Sequence, residues 1–264
     1  MNIVAIVQAR MGSTRLPGKV LADIENKTAI ELLLKRLDRS KKVSSICIAT
    51  SVAEENDLLC QQVARLGYSY FRGSEIDVLE RFYQAAVHAK SDVIVRITGD
   101  CPLVDPIVVD DVIDIFEKNK VDYASNINPP SYPDGLDVEV FSMHALERAV
   151  NEATESFDRE HVTPYLRSEQ FSSVNLLAKE NLSNFRLTLD EFEDLLVLRK
   201  IFEHFSSDIF FSFMDAVNYL RKNEEIIKIN DKIKRNEGAI LGKGQKLWSR
   251  AKKIIPGGNM LLSK

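Results

Sequence analysis

Long hydrophobic runs, paired cysteines, internal repeats and low-complexity stretches are all missing from this chain of 264 residues. The most apolar stretch near the start, residues 3–7, falls far short of the ~20 residues that a bilayer span needs, and it has neither a basic flank nor a small-residue cleavage site. We expect no export and no membrane partner. Cysteine is scarce as well: Cys47, Cys60 and Cys101 are odd in number and widely spaced, which suits neither a disulfide framework nor a zinc knuckle and points to a reducing cytoplasm. With 11 glycines and 8 prolines against 45% hydrophobic and 28% charged residues, the composition excludes collagen-like and disordered chains and fits a globular protein. The net charge of -4 hides an asymmetry, because residues 228–264 carry +8 and residues 1–227 therefore carry -12. An acidic body argues against a nucleic-acid partner and suits a site that holds Mg²⁺.

Apolar periodicity organises the body. Short apolar runs at 3–7, 45–50, 68–71 and 93–97, the first of them β-branched, read as strands, and amphipathic segments with Thr28 as a cap, at 54–66 and at 77–89 read as helices. This β-loop-α-β-α-β-α-β order predicts parallel strands with right-handed crossovers, helices on both faces and a site at the carboxyl ends of the strands. After Pro106 the rhythm changes: a helix at 107–118, strands near Tyr123 and at 136–141, 173–178 and 185–189, then helices at 191–205 and 214–222. We expect this β and loop region to be inserted beside the sheet and to carry an acceptor pocket.

The densest chemical signal directly follows the first strand: Gln8-Ala9-Arg10-Met11-Gly12-Ser13-Thr14-Arg15-Leu16-Pro17-Gly18-Lys19. Small residues let backbone N–H groups approach phosphate oxygens, while Arg10, Arg15 and Lys19 bring the charge that a triphosphate and a departing pyrophosphate require. A Walker A loop is excluded, since Gly12 and Gly18 are six apart and Val20 follows the lysine. The plain alternative is a basic loop between strand and helix.

This segment resembles the signature of the sugar cytidylyltransferases, the group containing the CMP-Kdo and CMP-acylneuraminate synthetases and the SpsF-type proteins. The resemblance to the SpsF-type branch runs over roughly residues 1–222. It implies a Rossmann-like, GT-A-type α/β fold, Mg²⁺ as cofactor, CTP as the nucleoside triphosphate, a small acidic acceptor and a homodimer. In that family the loop embraces base and phosphates, which makes Gln8, Ala9, Arg10, Gly12, Ser13, Arg15 and Lys19 nucleotide-binding candidates, with Lys19, Arg15 and Arg10 as the catalytic cations. The stretch from Phe71 through Arg72, Gly73, Ser74 and Asp77 to Phe82 looks like the family's turn beside the base: Gly73 lets backbone approach a ring, and Arg72 or Ser74 offers donors. Its plain alternative is a helix start that Ser74 caps and whose dipole Asp77 favours.

Asp100, ending the strand that leads into Gly99-Asp100-Cys101-Pro102, is the first metal-ligand candidate, because a carboxylate at that edge can hold Mg²⁺ against the α-phosphate. Asp190 is the second, in Asp190-Glu191-Phe192-Glu193-Asp194-Leu195, which is similar to the family's D-x-x-E-D-L stretch; its alternative is an N-cap with Glu193 closing a capping box. Alternation sends Asp137 and Glu139 to one side of a strand, where they either line the acceptor pocket, as the SpsF-type resemblance implies, or form the wet face of an edge strand. His161, in Arg159-Glu160-His161-Val162-Thr163-Pro164-Tyr165, is a third acceptor candidate, against the structural role usual for a lone histidine. Acceptor signatures of the Kdo and nonulosonate enzymes have no persuasive copy here.

Residues 247–256 resemble the opening helix of class III aminotransferases of the glutamate-1-semialdehyde aminomutase type. The expected division is thus a nucleotidyltransferase domain over 1–227 and, over 228–264, a basic tail or the truncated start of an aminotransferase domain too short for pyridoxal phosphate chemistry. The rivals are a GT-A glycosyltransferase consuming an NDP-sugar, disfavoured by the triphosphate-suited cations, and a non-catalytic nucleotide-binding scaffold.

Overall fold

The computed structural model describes residues 1–235 and divides into one unit of Met1–Asn230 and a second that begins at Asp231. The aminotransferase-like stretch falls outside the described residues. The first half of the larger unit runs β1 (Ile3–Gln8), β2 (Asp23–Ile24), β3 (Lys27–Thr28), α1 (Ala29–Leu37), β4 (Ser45–Ser51), α2 (Asp57–Arg65), β5 (Ser69–Gly73), α3 (Val78–His88) and β6 (Val93–Thr98). It continues through α4 (Pro106–Asn119), β7 (Tyr123–Ser125), β8 (Glu139–Ser142), α5 (Met143–Glu152), α6 (Ser156–His161), β9 (Ser173–Asn175), α7 (Phe192–His204), α8 (Phe213–Lys222) and α9 (Glu224–Ile227).

Side-chain alternation on the strands makes the layers. On β1, Ile3, Ala5 and Val7 pack into one core with α1, α2 and α4, while Val4 and Ile6 face the opposite core beneath α3 and α5. The main sheet has the order β5-β4-β1-β6-β8-β7-β9, and only β8 runs against the rest. The chain leaves β1 toward β4 and β5, then returns to lay β6 on the other side of β1. The strand order therefore reverses between β1 and β6, where Gln8 pairs with Thr98, and α/β folds open their ligand crevice outside such a point.

Local chemistry sets the helix starts. Thr28 Oγ1 accepts from Glu31 N at 3.3 Å, and Asp77 Oδ1 accepts from Glu80 N at 3.0 Å. Asp77 is thus the cap of α3; Ser74, expected there, instead accepts from Asp77 N at 3.0 Å. Asp105 caps α4 through Ile107 N and takes Phe213 N at the start of α8, each at 2.9 Å.

The second half departs from expectation in several places, with the strands expected at 136–141 and 173–178 confined to Glu139–Ser142 and Ser173–Asn175. Helices α5 and α6 were not anticipated; α5 buries Ala145, Leu146 and Ala149, with Met143 and Val150 partly buried beside them, whereas α6 buries no residue. Residues 185–189 are extended but form no strand of the sheet. Leu187 N donates to Asp134 O at 2.7 Å, and Leu189 N to Asp100 O at 2.8 Å, so the segment threads between two loops and delivers Asp190 beside Asp100. The larger unit ends at Asn230, whose side chain bonds Arg186 O at 3.3 Å and Asp194 Oδ1 at 3.0 Å. Among the described residues no helix is long and apolar enough to cross a membrane.

Two glycines permit the close approach at this edge. A Cβ on Gly99 would stand 2.8 Å from Ala9 Cβ, and one on Gly135, whose φ is +101°, would stand 2.5 Å from the backbone of Leu187 and Thr188. Gly135→Ala should therefore destabilise the protein by at least about 3 kcal/mol in urea unfolding; a loss under about 1 kcal/mol would show that the 185–189 segment does not need this contact.

Candidate active site

At the β1–β6 crevice three loops meet. The loop after β1 turns back on itself, with Met11 O accepting from Ser13 N at 2.8 Å and Gly18 N at 2.9 Å, and the αL Gly18 (φ +71°) launches Lys19 inward. Asn56, buried in the β4–α2 connection, holds the loop by accepting from Met11 N at 2.8 Å. Gln8 and Ala9 form the loop's base. Gly12 lies against the side chain of Glu55, and Arg10 is exposed and close enough to Arg81 of α3 that its charge contributes to the lowered pKa there.

Lys19 Nζ donates to Asp100 Oδ2 at 2.7 Å and to Asp190 Oδ1 at 2.8 Å, so one ammonium spans both candidate metal ligands. Arg15 Nη2 reaches the same Asp190 oxygen at 2.8 Å, with Glu191 3.9 Å from Arg15 Nε. Burial disfavours charge on both partners, yet each offsets it for the other. Lys19 is pushed up from its ordinary value, and Asp100, despite desolvation, is held down at about 2 by the Lys19 ammonium, with Thr98 and its backbone assisting.

Behind Asp190 lies a buried cluster. Arg186 donates to Asp190 Oδ2 at 3.1 Å, to Asp134 Oδ2 at 2.7 Å and, through Nε and Nη2, to the two oxygens of Asp194 at 2.8 and 2.9 Å. Asp194 in turn accepts from the backbone N–H groups of Asp190 and Glu191, each at 2.9 Å. Burial works against the Arg186 charge, but Asp194, Asp134 and Asp190 outweigh it and raise its pKa. Asp190 is accordingly not the cap of α7, the alternative considered from sequence: Glu191 holds that position and Asp194, not Glu193, folds back. Sequence inspection missed Arg186, although alternation through Arg186, Thr188 and Asp190 would have placed it on the side of the metal candidate.

The base-turn candidates scatter. Arg72 is held locally, on Asp57 at 2.7 Å and on the carbonyls of Ser51, Val52 and Ala53 at 3.2, 3.1 and 3.0 Å. Asp77 Oδ2 is held by Arg159 Nε at 2.9 Å and Nη2 at 2.5 Å, tying α3 to α6. Gly73 packs against Arg81 and Phe71, and Ser74 O accepts from Arg81 Nη1 at 2.5 Å. Arg81 is buried, its Nε has no hydrogen-bond partner, and burial chiefly, with Arg10, lowers its pKa to about 10.

Glu139 is not on a wet edge: β8 lies between β6 and β7, and the carboxylate is buried, paired with Arg96 and accepting from Tyr123 Oη at 2.5 Å. Desolvation would raise its pKa, but Arg96 and Arg167 hold it below the ordinary value. Arg96 Nη2 also donates to Gln8 Oε1 at 3.3 Å, and its buried Nε has no partner. Asp137 stands apart from this strip, near Cys101, whose thiol is pushed up by burial and then by Asp100, Asp137 and Asp134. His161 stacks at 4.5 Å, tilted, on Phe157 of α6. Arg96 was missed too, though an arginine inside an otherwise apolar strand was a visible signal.

Residues 4–237 match the family model described as Cytidylyltransferase. The spore coat polysaccharide biosynthesis protein SpsF of Bacillus subtilis is 34% identical over 233 residues, covering 85% of this chain and 96% of that protein. A 3-deoxy-manno-octulosonate cytidylyltransferase of Geobacter sulfurreducens is 34% identical over 122 residues, 45% of this chain and 47% of the relative. Among solved structures, a cytidylyltransferase from Leptospira borgpetersenii superposes with a TM-score of 0.84 at 33% identity, over 89% of this chain and 100% of that one.

The depressed Asp100 pKa has a direct test. With a folded value near 2 against about 3.9 unfolded, Asp100 contributes stability that is present above the unfolded value and lost as pH falls through the folded one. In Lys19→Met burial acts with less opposition, so the Asp100 carboxyl, followed by carbon NMR, should titrate well above 2. An unchanged titration would mean that Lys19 does not set it.

Proposed function

This chain belongs to the cytidylyltransferase family and is a nucleotidyltransferase, and within that family we propose that it moves CMP from CTP onto a small acidic sugar, releasing pyrophosphate. The observation that carries this reading is the convergence of Lys19, Arg15, Asp100 and Asp190 at the reversal point of the sheet. The glycine-bearing loop that brings Lys19 there is suited to phosphate, and the cations it supplies match the charge that accumulates on a leaving pyrophosphate.

Two carboxylates gathered around one small cation form a hard oxygen donor set of the kind that Mg²⁺ takes, with phosphate and water completing its shell. When bound there, the metal would neutralise charge on the α-phosphate. Asp100 and Asp190 would hold it, and Arg186 with Asp194 keeps Asp190 in place. In the reaction an acceptor oxygen forms a bond to the α-phosphorus in line as the bond to the bridging oxygen of pyrophosphate breaks, and the hydroxyl proton passes to solvent. Lys19 and Arg15 stabilise the departing oxygens, and Arg10, exposed on the same loop near Arg81, is a further cation for the triphosphate. Most of the acceleration is then positioning and charge, without a covalent protein intermediate.

On the acceptor side, Gln8, Arg96 and Glu139 form a polar strip at the ends of β1, β6 and β8. The unpartnered Arg96 Nε and the nearby Arg167 favour an acceptor with an acidic group, with Asp137 and His161 as further candidates to touch its hydroxyls. The place we infer for the product is in the building of surface polysaccharide or glycoconjugate precursors, in the cytoplasm, as the similarity to the Bacillus protein suggests.

Thermal shift with CTP, GTP, UTP, ATP and UDP-glucose, each with and without Mg²⁺, separates the readings. CTP with Mg²⁺ should raise the melting temperature most, by mass action on the native state, and pyrophosphate should be released with sugar acids. Stabilisation by the NDP-sugar alone would favour a glycosyltransferase, and binding of CTP with no turnover on any acid acceptor a scaffold. In the active protein, Asp190→Asn should lower turnover by at least ~100-fold, and near-normal turnover would remove Asp190 from the site.

A further inference from the structure

We propose that Lys19 is a built-in counter-cation for Asp100 and Asp190, which keeps the two carboxylates from taking a divalent cation until the nucleotide arrives to draw the ammonium away. This rests on the nucleotidyl-transfer reading above and adds to it an order of binding.

The two oxygens of Asp190 have different partners. Oδ2 faces Arg186, which is buried and fixed from behind by Asp134 and Asp194, so this contact is permanent scaffolding. Oδ1 is shared by Lys19 Nζ and Arg15 Nη2, each at 2.8 Å, and Lys19 also takes Asp100 Oδ2 at 2.7 Å. Both of these cations rise from the loop after β1. A lysine ammonium on four methylenes can swing while its backbone stays in place, here in the short turn Lys19–Leu21 behind Gly18.

Lys19 and Arg15 match the two carboxylates they touch, so a lone divalent ion arriving at Asp100 and Asp190 would have to break three short ion pairs and shed water with no new anion to compensate the displaced cations. A nucleoside triphosphate changes the balance. Its phosphates offer Lys19 and Arg15 new anionic partners, and the oxygens these release, Asp100 Oδ2 and Asp190 Oδ1, are then open on the side of the phosphate chain. Arg186 keeps Asp190 from following the departing lysine. The carboxylates thus stay preformed without metal, and free metal is not captured without substrate.

The test reads metal binding, not turnover. Mn²⁺, followed by the relaxation of water protons, is titrated into the full chain with and without CTP. The wild-type protein should bind Mn²⁺ weakly alone and far more tightly with CTP. Lys19→Met should bind Mn²⁺ without nucleotide roughly tenfold or more tightly than wild type, whereas Lys19→Arg, which keeps the charge, should stay near the wild-type value. Should Lys19→Met not fold, Arg15→Met, which removes the second cation from the same oxygen, should show a smaller gain in the same direction. Equal nucleotide-free affinity in wild type and the charge-removing variant overturns the proposal and leaves the transfer reading intact. Failure of CTP to tighten Mn²⁺ binding in wild type overturns the transfer reading, and the proposal with it.

Discussion

Everything at the carboxyl edge of the sheet is arranged around one ammonium. Lys19 touches Asp100 and Asp190, which lie 81 and 171 residues further along the chain, and it can do so only because three loops are held to within a few ångströms of one another. Each loop has its own device. Asn56 pins the first, Gly99 packs against Ala9 to bring in the second, and Gly135 allows the 185–189 segment to pass across its backbone with the third. An ammonium between two partly buried carboxylates stabilises little in net terms, since desolvation consumes most of the Coulombic gain. Such an arrangement is better understood as preparation for a charged ligand than as a fold-stabilising bridge.

Much of this was legible in the chain. Strand and helix alternation through residue 119 follows from apolar periodicity, and the reversal between β1 and β6 follows from the parallel crossovers that such alternation demands. The loop of Arg10, Arg15 and Lys19 shows, by its residue types alone, three cations gathered in one glycine-bearing turn after a buried strand. Asp100 stands out because a carboxylate directly after a buried strand has little structural use.

What stayed hidden was nonlocal. Arg72 looks like a free donor beside Gly73, but the register that pairs it with Thr50 brings it under the carbonyls of residues 51–53, which consume its guanidinium. Asp77 meets Arg159 across 82 residues, and the α6 helix that carries that arginine has no buried residue to mark it as a helix. For Glu139 the sequence leaves a pocket lining and a wet edge both open, because alternation gives the side of a strand, not whether another layer covers it; here Arg96, Tyr123 and Arg167 surround the carboxylate. Arg186 and Arg96 were both within reach of simple reasoning, since each is a charge at a position whose neighbours on both sides are buried.

On the proposed reading, the α-phosphate of CTP is handled between Lys19, Asp100 and Asp190. A crystal structure with CTP and a divalent cation is its most direct test. Expected are a metal on Asp100 and Asp190, the triphosphate along the Gln8–Lys19 loop, and the Lys19 ammonium moved from the carboxylates onto phosphate oxygens. A nucleotide bound elsewhere, or one bound here with Lys19 still spanning the two carboxylates, would contradict it.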